Sequence, residues 1–304
     1  MKPIDLKVGN CSGAKFYIKE TPSGPILRKE FIGNTKKLKD QFNWLKNHSE
    51  FTFIPKVSNP IESVDSFSYE MTYYENAKNA HEGLGEIDEN LFLEILSSIE
   101  QLKREKEVVS QEQIDFYLKH KLDKKLLQCF QNHKARDFAG TNLIQGQEYP
   151  SVAQLIQDLN SYSYILKEGK NSEIHGDLTL ENILIDSKKP LFIDPNGENA
   201  VSTIEVELAK LFQSLNSSYE DLSLDKLKVS DIMALKDHEL FIILKNYILK
   251  NYGDGGLLRT YFHELIHLAR LLPYKQINLG HQYDDFLDLF IIRSHQFLTM
   301  VKEK

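Results

Sequence analysis

The chain has little cysteine, and it lacks any long uninterrupted hydrophobic run. Only two cysteines, Cys11 and Cys129, occur in 304 residues, and they form no Cys-x-x-Cys pair. This usage excludes a disulfide-stabilised scaffold and a zinc site built from thiolates. No stretch of roughly 18 apolar residues is available to cross a bilayer, and the first residues lack the apolar segment of a secretory signal. We therefore expect a cytoplasmic protein without membrane insertion.

An excess of positive charge is also missing. The chain carries 37 basic and 44 acidic residues, which gives a net charge of −7. A protein that binds nucleic acid needs a basic face to neutralise phosphates, so we expect no nucleic-acid partner. With 41% hydrophobic and 27% charged residues, the chain can build a large core or two lobes that share a cleft.

The most informative segment joins polar catalytic residue types to short hydrophobic strands. His175, Asp177, Asn182 and Asp194 lie in or beside two apolar runs, and those runs predict a β-hairpin over residues 183–193. Phosphoryl transfer needs Mg²⁺ to neutralise charge and a carboxylate to align the acceptor hydroxyl. We interpret Asp177 as the residue that orients the hydroxyl and accepts its proton late, and Asn182 and Asp194 as Mg²⁺ ligands. His175 is expected to hold the loop through a hydrogen bond to backbone near Asp194.

A glycine-bearing loop near the N-terminus precedes two strand-like runs, residues 16–19 and 25–31. Gly9, Ser12 and Gly13 would let backbone N–H groups approach nucleotide phosphates, where larger side chains would block them. The loop is not a Walker motif, because the Gly-Lys-Ser/Thr order is absent. We expect it to cover the phosphates of a bound nucleotide.

Taken together, these motifs resemble the aminoglycoside phosphotransferase and choline kinase family, small-molecule relatives of protein kinases whose catalytic loop reads His-Gly-Asp, four residues, Asn. The resemblance implies an α+β, bilobal, protein-kinase-like fold. A small N-terminal lobe of antiparallel strands with one helix would span residues 1–74, and a larger, mainly helical lobe would span 75–304. It also implies ATP or GTP with Mg²⁺ as cofactors.

The resemblance further implies a small-molecule acceptor that offers a hydroxyl group, such as a sugar, an amino sugar or an amino alcohol. The run Lys210-Leu211-Phe212-Gln213-Ser214-Leu215 is similar to a bacterial subgroup linked to surface-polysaccharide and sugar metabolism.

The family also has a cation on the strand after the loop, which pairs with the nucleotide phosphates. Strand alternation selects Arg28 for this role, and a shift of one residue would select Lys29 instead. Where the family has a glutamate to support the cation, the next helix has the neutral Gln41, with Asp40 as the alternative partner. In the strand that leads to the interlobe hinge, Glu70, Met71 and Tyr73 are expected to contact the purine.

Two other interpretations remain open at this level. His263-Glu264-Leu265-Ile266-His267 matches the His-Glu-x-x-His motif of zinc peptidases, although a third ligand is not evident. The departures at Gln41 and at Glu207, which stands where the family has an aspartate, would also fit a catalytically inactive, nucleotide-binding relative of kinases.

Overall fold

A computed structural model describes residues 2–4, 13–22, 24–132, 138–197, 199–278 and 283–303. The strands are β1 (Lys2–Ile4), β2 (Lys15–Lys19), β3 (Ile26–Ile32), β4 (Val57–Glu62), β5 (Ser66–Thr72), β6 (Lys78–Asn79), β7 (Asn142–Ile144), β8 (Gln147–Tyr149), β9 (Ile183–Asp186) and β10 (Lys189–Phe192). The helices are α1 (Lys36–Asn47), α2 (Glu89–Leu102), α3 (Gln111–Leu118), α4 (Lys124–Asn132), α5 (Val152–Ser161), α6 (Ile204–Leu215), α7 (Tyr219–Ser223), α8 (Val229–Ala234), α9 (Glu239–Asn278) and α10 (Tyr283–Lys302).

The chain forms two compact units, and each contains two segments. The first unit comprises residues 1–102 and 175–199, and the second comprises 103–174 and 200–304. This division differs from the expected boundary at residue 74. The reason is that β6 pairs with β9 and α2 packs against β10, so residues after 74 belong with the catalytic hairpin.

The first unit is built on a five-stranded antiparallel sheet in the order β1-β2-β3-β5-β4. Alternating residues give β3 and β5 one face that packs against helix α1. The helix buries Leu38, Gln41, Phe42 and Leu45 at the three- and four-residue spacing of an amphipathic helix. The expected small antiparallel sheet with one helix is confirmed.

The catalytic hairpin forms a second, three-stranded sheet in the order β10-β9-β6. Between β9 and β10, Ser187 and Lys188 both have positive φ angles, 51° and 63°, as a tight two-residue hairpin turn requires. The hairpin predicted over residues 183–193 is therefore confirmed.

The second unit is mainly helical, as expected. Every residue of α6 is buried, so this helix lies inside the unit, with α9 packed against it. Two serines cap the N-termini of helices in this unit. Ser110 Oγ accepts a hydrogen bond from Gln113 N at 3.2 Å at the start of α3, and Ser151 Oγ accepts one from Gln154 N at 3.1 Å at the start of α5. None of the described helices has the length and apolar character needed to span a membrane.

The polar stretch over residues 138–150 contains the short hairpin β7–β8. Gln145 and Gly146 connect its strands with positive φ angles of 51° and 80°. The glycine makes this turn possible, while the three-residue strands are too short to show a clear alternation in the sequence.

Candidate active site

The loop before β9 brings Asp177, Asn182 and Asp194 together in the first unit. Asn182 Nδ2 donates a hydrogen bond of 2.6 Å to the Asp177 backbone oxygen, and Thr179 N donates to the same oxygen at 2.9 Å. Ile193 N donates to the Asn182 backbone oxygen at 3.0 Å, which places the next residue, Asp194, beside Asn182. One network of hydrogen bonds therefore links the loop that carries Asp177 and Asn182 to the segment that ends at Asp194.

His175 fastens this loop to the strand that ends before Asp194. Its Nε2 lies 2.8 Å from the Ile193 carbonyl oxygen, so the Nε2–H tautomer donates to that carbonyl. The ring is fully buried and packs edge to face against Trp44 with centroids 5.4 Å apart. Burial lowers the pKa of His175 to about 4, so the imidazole is neutral at pH 7. The expected hydrogen bond to backbone near Asp194 is present.

This neutral histidine predicts a pH dependence of stability. His175 protonates near pH 6.5 in the unfolded chain but only near pH 4 in the fold, so the unfolded state binds more protons between these values. The contribution is complete above about pH 6.5 and is lost by about 1.4 kcal/mol per pH unit as the pH falls toward 4. Urea unfolding at pH 7.5, 6 and 5 measures this slope. His175→Gln should unfold with a flatter profile, and an identical profile would contradict the assignment.

Gly176 is fixed by the close approach of another backbone segment. Its φ angle is +80°, and a Cβ built there would lie 2.1 Å from the Asn196 oxygen and 2.5 Å from Asn199 Nδ2. Neither the angle nor the distances tolerate a side chain. The glycine of the His-Gly-Asp motif is therefore explained by local packing.

Lys29 reaches one acidic residue of the site, Asp194. Its Nζ lies 2.6 Å from Asp194 Oδ1 and donates a 3.1 Å hydrogen bond to Gln41 Oε1. The side chain is almost completely buried, on the sheet face that it shares with its cross-strand neighbour Tyr69.

Arg28, the residue selected for the phosphate-pairing role, makes no contact with Asp194 among the described residues. Arg28 lies on the opposite face of β3, where its Nη2 and Nε donate to Ser68 Oγ at 2.8 and 3.2 Å. The physical reason is strand register, because a shift of one residue moves a side chain to the other face of the sheet. Lys29, the alternative, occupies the inner face.

The partner of the cation is Gln41. Asp40, the other residue considered, forms an exposed ion pair of 3.2 Å with Lys36 in the same helix. Gln41 is buried on the inner face of α1. Its amide oxygen offers Lys29 a neutral hydrogen bond, which is weaker than a carboxylate would provide.

Asn182 and Asp194 present oxygen atoms that suit Mg²⁺. Among the described residues, neither Asn182 Oδ1 nor Asp194 Oδ2 has a hydrogen-bond partner, since the contacts use Asn182 Nδ2 and Asp194 Oδ1. The Asp194 side chain keeps 38% of its surface exposed. Amide and carboxylate oxygens are hard ligands, so this donor set fits Mg²⁺.

The expected phosphate-covering loop falls largely outside the described residues. Gly9 and Ser12 lie outside them. Gly13 is described, and it enters β2 with a φ angle of +68°, a conformation that favours glycine.

The residues expected to contact the purine are Glu70, Met71 and Tyr73. Glu70 and Met71 lie in β5, which pairs with β3 on one side and β4 on the other, so the backbone of β5 is engaged by both neighbours. The Glu70 carboxylate accepts from Asn59 Nδ2, and Tyr73 N donates to the Pro25 oxygen at 3.2 Å. The purine contacts expected of Glu70, Met71 and Tyr73 stay predictions.

The histidines of the zinc-peptidase motif are core residues of the second unit. His263 and His267 are buried, and burial is the main cause that lowers their pKa values, to about 3 for His263. His263 Nδ1 lies 3.2 Å from Tyr117 Oη, and His267 Nε2 lies 3.1 Å from the Val206 oxygen. Each imidazole is thus committed to a local hydrogen bond.

The glutamate of the same motif is also occupied. Both Glu264 oxygens accept from Asn216 Nδ2 at 3.0 Å, and Oε1 accepts from Ser217 Oγ at 2.7 Å. The part of the chain that the structure describes contains no group of three or more His, Cys, Asp or Glu side chains that could hold a metal. The zinc-peptidase interpretation is therefore wrong, because the motif serves packing.

Solved structures share this fold at low sequence identity. A thermostable mutant of aminoglycoside phosphotransferase APH(4)-Ia without ligand matches with a TM-score of 0.60 and 10% identity, over 99% of this chain and 94% of that chain. The ternary complex of such a mutant with AMP-PNP and hygromycin B gives 0.60 and 11%, over 98% and 93%. ADP-bound APH(2'')-Ib gives 0.56 and 10%, over 95% and 93%. The chain has the protein-kinase-like fold of these structures.

Comparison of the sequence with known proteins finds one partial match. No protein-family profile matches the chain. A probable bifunctional tRNA threonylcarbamoyladenosine biosynthesis protein from Methanosphaera stadtmanae is 30% identical over 108 residues, which is 36% of this chain and 17% of that protein. The match therefore spans only a small part of the curated relative.

Proposed function

We propose that this protein transfers the terminal phosphoryl group of ATP or GTP to a hydroxyl group of a small molecule. The observation that supports this most directly is the arrangement of Lys29, Asp177, Asn182 and Asp194 in one unit. A buried cation contacts one carboxylate at 2.6 Å, and a second acid lies in the loop that Asn182 braces. Phosphoryl transfer depends on positioning and charge neutralisation, which these groups supply.

Asn182 and Asp194 would hold Mg²⁺ through the two oxygens that make no hydrogen bond among the described residues. When bound, the ion would neutralise phosphate charge and orient the transferred group. Lys29 would pair with the phosphates of the nucleotide, which is the role first expected of Arg28. The buried neutral His175 would hold the loop and would not itself exchange protons with substrate.

Asp177 would orient the acceptor hydroxyl and accept its proton late in the transfer. The backbone at Asp177 is fixed because its carbonyl oxygen accepts hydrogen bonds from both Asn182 and Thr179. General base catalysis of this kind contributes about 10²–10⁴ in rate.

The acceptor we propose is a sugar, an amino sugar or an amino alcohol, consistent with the small-molecule acceptors in the solved neighbours. One neighbour is a ternary complex with ADP and hygromycin B, and another binds ADP and spectinomycin. A protein acceptor is less favoured, because only residues 195–203 separate Asp194 from α6, too few for an extended activation segment.

Thermal unfolding of the metal-stripped protein tests the proposal. ATP or GTP together with Mg²⁺ should raise the unfolding midpoint by about 5 °C at saturating concentrations, because the ligands bind only the folded state. Nucleotide or Mg²⁺ alone should raise it less. Asp194→Ala should remove the joint effect, while Asp186→Ala, a carboxylate at the end of β9 outside the proposed metal site, should keep it.

Turnover is measured on the same samples as ADP or GDP release with a panel of sugars, amino sugars and amino alcohols. Absence of any joint nucleotide and Mg²⁺ effect in the wild type would overturn the proposal. A joint effect without product for any acceptor class would favour the catalytically inactive, nucleotide-binding alternative.

A further inference from the structure

Three cations lie on helical segments of the second unit that pack against each other. After α3, the backbone passes through a π-helical turn, Lys119–Asp123, into α4, and both the turn and α4 pack against α9. Lys121 and Lys125 are four residues apart on this segment, as Arg270 and Tyr274 are on α9. Lys125 Nζ lies 5.4 Å from the centre of the Tyr274 ring. Lys121, Lys125 and Arg270 are called the cation cluster below.

Arg270 in this cluster has a donor atom without a hydrogen-bond partner among the described residues. It is half-buried, and its Nη1 is buried without a hydrogen-bond partner. Within the described ranges, neither Arg270 nor Lys121 has an ion pair with a carboxylate. A buried polar group that lacks a partner costs stability, and a buried charge costs more.

Arg259, another arginine of α9, is paired with acidic side chains. Arg259 Nε donates to Glu205 Oε1 at 2.7 Å, and its Nη1 donates to Glu168 Oε2 at 2.9 Å. Two carboxylates therefore neutralise Arg259. In contrast, Nη1 of Arg270, three turns further along α9, has no hydrogen-bond partner among the described residues.

The local field around the cluster is positive. Burial lowers the pKa of Lys121, and the charges of Arg270, Lys125 and Lys210 lower it further. The same imbalance acts on His267, whose pKa is depressed by burial and then by Lys210 and Arg270. Among the residues that the structure describes, no acidic side chain is a cause of either shift. An anion placed here would gain from several cations at once.

We propose that the cation cluster binds a phosphate group, either as free inorganic phosphate or as the phosphate monoester of a small molecule. A planar guanidinium makes paired hydrogen bonds to phosphate oxygens, and ammonium groups add charge without directional constraint. Three cations match a dianion better than a single carboxylate. The π-helical turn fits this role, since such turns are frequent at functional sites. The site belongs to the second unit and does not depend on the proposed phosphoryl transfer.

Thermal unfolding at constant ionic strength tests the site, with inorganic phosphate, glucose 6-phosphate and glucose as probes. Phosphate at roughly ten times its dissociation constant should raise the wild-type midpoint by about 3 °C. Glucose should have no effect. If glucose 6-phosphate acts at lower concentration than phosphate, the site serves a phosphate monoester, and equal potency indicates free phosphate.

Arg270→Met identifies the residues responsible. Without phosphate, its midpoint should equal or exceed that of the wild type, because the substitution removes an unpaired charge and its repulsion of Lys121. Its response to phosphate should be lost, and Lys121→Met, a second variant, should lose at least half of the response. Arg104→Met, which removes an exposed arginine near Glu173, is the matched control and should respond as the wild type does.

Lys29→Met separates this site from the nucleotide site of the first unit and should also keep the phosphate response. The proposal is overturned if phosphate and glucose 6-phosphate leave the wild type unchanged, or if Arg270→Met and Lys121→Met both respond as the wild type does. In the second case the stabilisation would be the general effect of phosphate on protein hydration.

Discussion

Asp177→Asn is expected to reduce turnover by about 10²–10⁴ while leaving the binding of nucleotide and Mg²⁺ nearly unchanged. The substitution keeps the size of the side chain and removes only its ability to accept a proton from the acceptor hydroxyl. The backbone of the loop should persist, because Asn182 Nδ2 bonds to the carbonyl of residue 177 and not to its carboxylate. Turnover at saturating acceptor and the nucleotide-dependent midpoint are the two quantities to measure.

Glu181→Gln is the matched control, since it neutralises a carboxylate of the same loop that has no proposed catalytic role. It should retain turnover within about threefold, as expected for a substitution that changes the transition state by less than about 1 kcal/mol. Retained turnover in Asp177→Asn would contradict the role of Asp177. A loss of nucleotide binding in that variant would instead indicate damage to the loop.

The parts of the site that are local in sequence could be predicted from it. Asp177 and Asn182 are five residues apart, and the hairpin that follows has a simple pattern of two apolar runs around a polar turn. The geometry of such a segment depends mainly on its own backbone hydrogen bonds, as in the contact between His175 and the Ile193 carbonyl.

Contacts that join distant segments could not be predicted in the same way. Lys29 and Asp194 are 165 residues apart, and the choice between Lys29 and Arg28 depends on a register that differs by a single residue. The alternation of residues along a strand predicts that the Arg28 and Lys29 side chains lie on opposite faces of β3. The alternation does not predict which of the two faces packs against α1, because that depends on how the whole sheet packs.

The motif at His263 shows the opposite failure. The spacing of two histidines and a glutamate is correct for a zinc site, but burial and hydrogen bonding decide how those side chains are used. His263 contacts Tyr117, and Glu264 is bound by Asn216 and Ser217. These partners come from other segments of the chain, so the sequence around His263 could not predict them.

Lys29→Met and Arg28→Met together provide the sharpest comparison between the structure and the sequence pattern. Lys29→Met should weaken nucleotide binding by roughly 10–150-fold, because a charge-assisted hydrogen bond contributes about 1.5–3 kcal/mol. Arg28→Met should change it by less than about threefold, since Arg28 contacts Ser68 on the other face of the sheet. Calorimetric titration of each variant with ATP in the presence of Mg²⁺ measures the nucleotide dissociation constant of both variants.

The stability of the two variants without nucleotide completes this comparison. Lys29→Met leaves Gln41 Oε1 without its donor and Asp194 without its cation, which should cost about 1–3 kcal/mol of unfolding free energy. Arg28→Met loses only a partly exposed contact and should cost less than about 1 kcal/mol. If Arg28→Met weakened nucleotide binding more than Lys29→Met did, the phosphates would have to approach the outer face of the sheet. The original selection of Arg28 would then replace Lys29 in the mechanism.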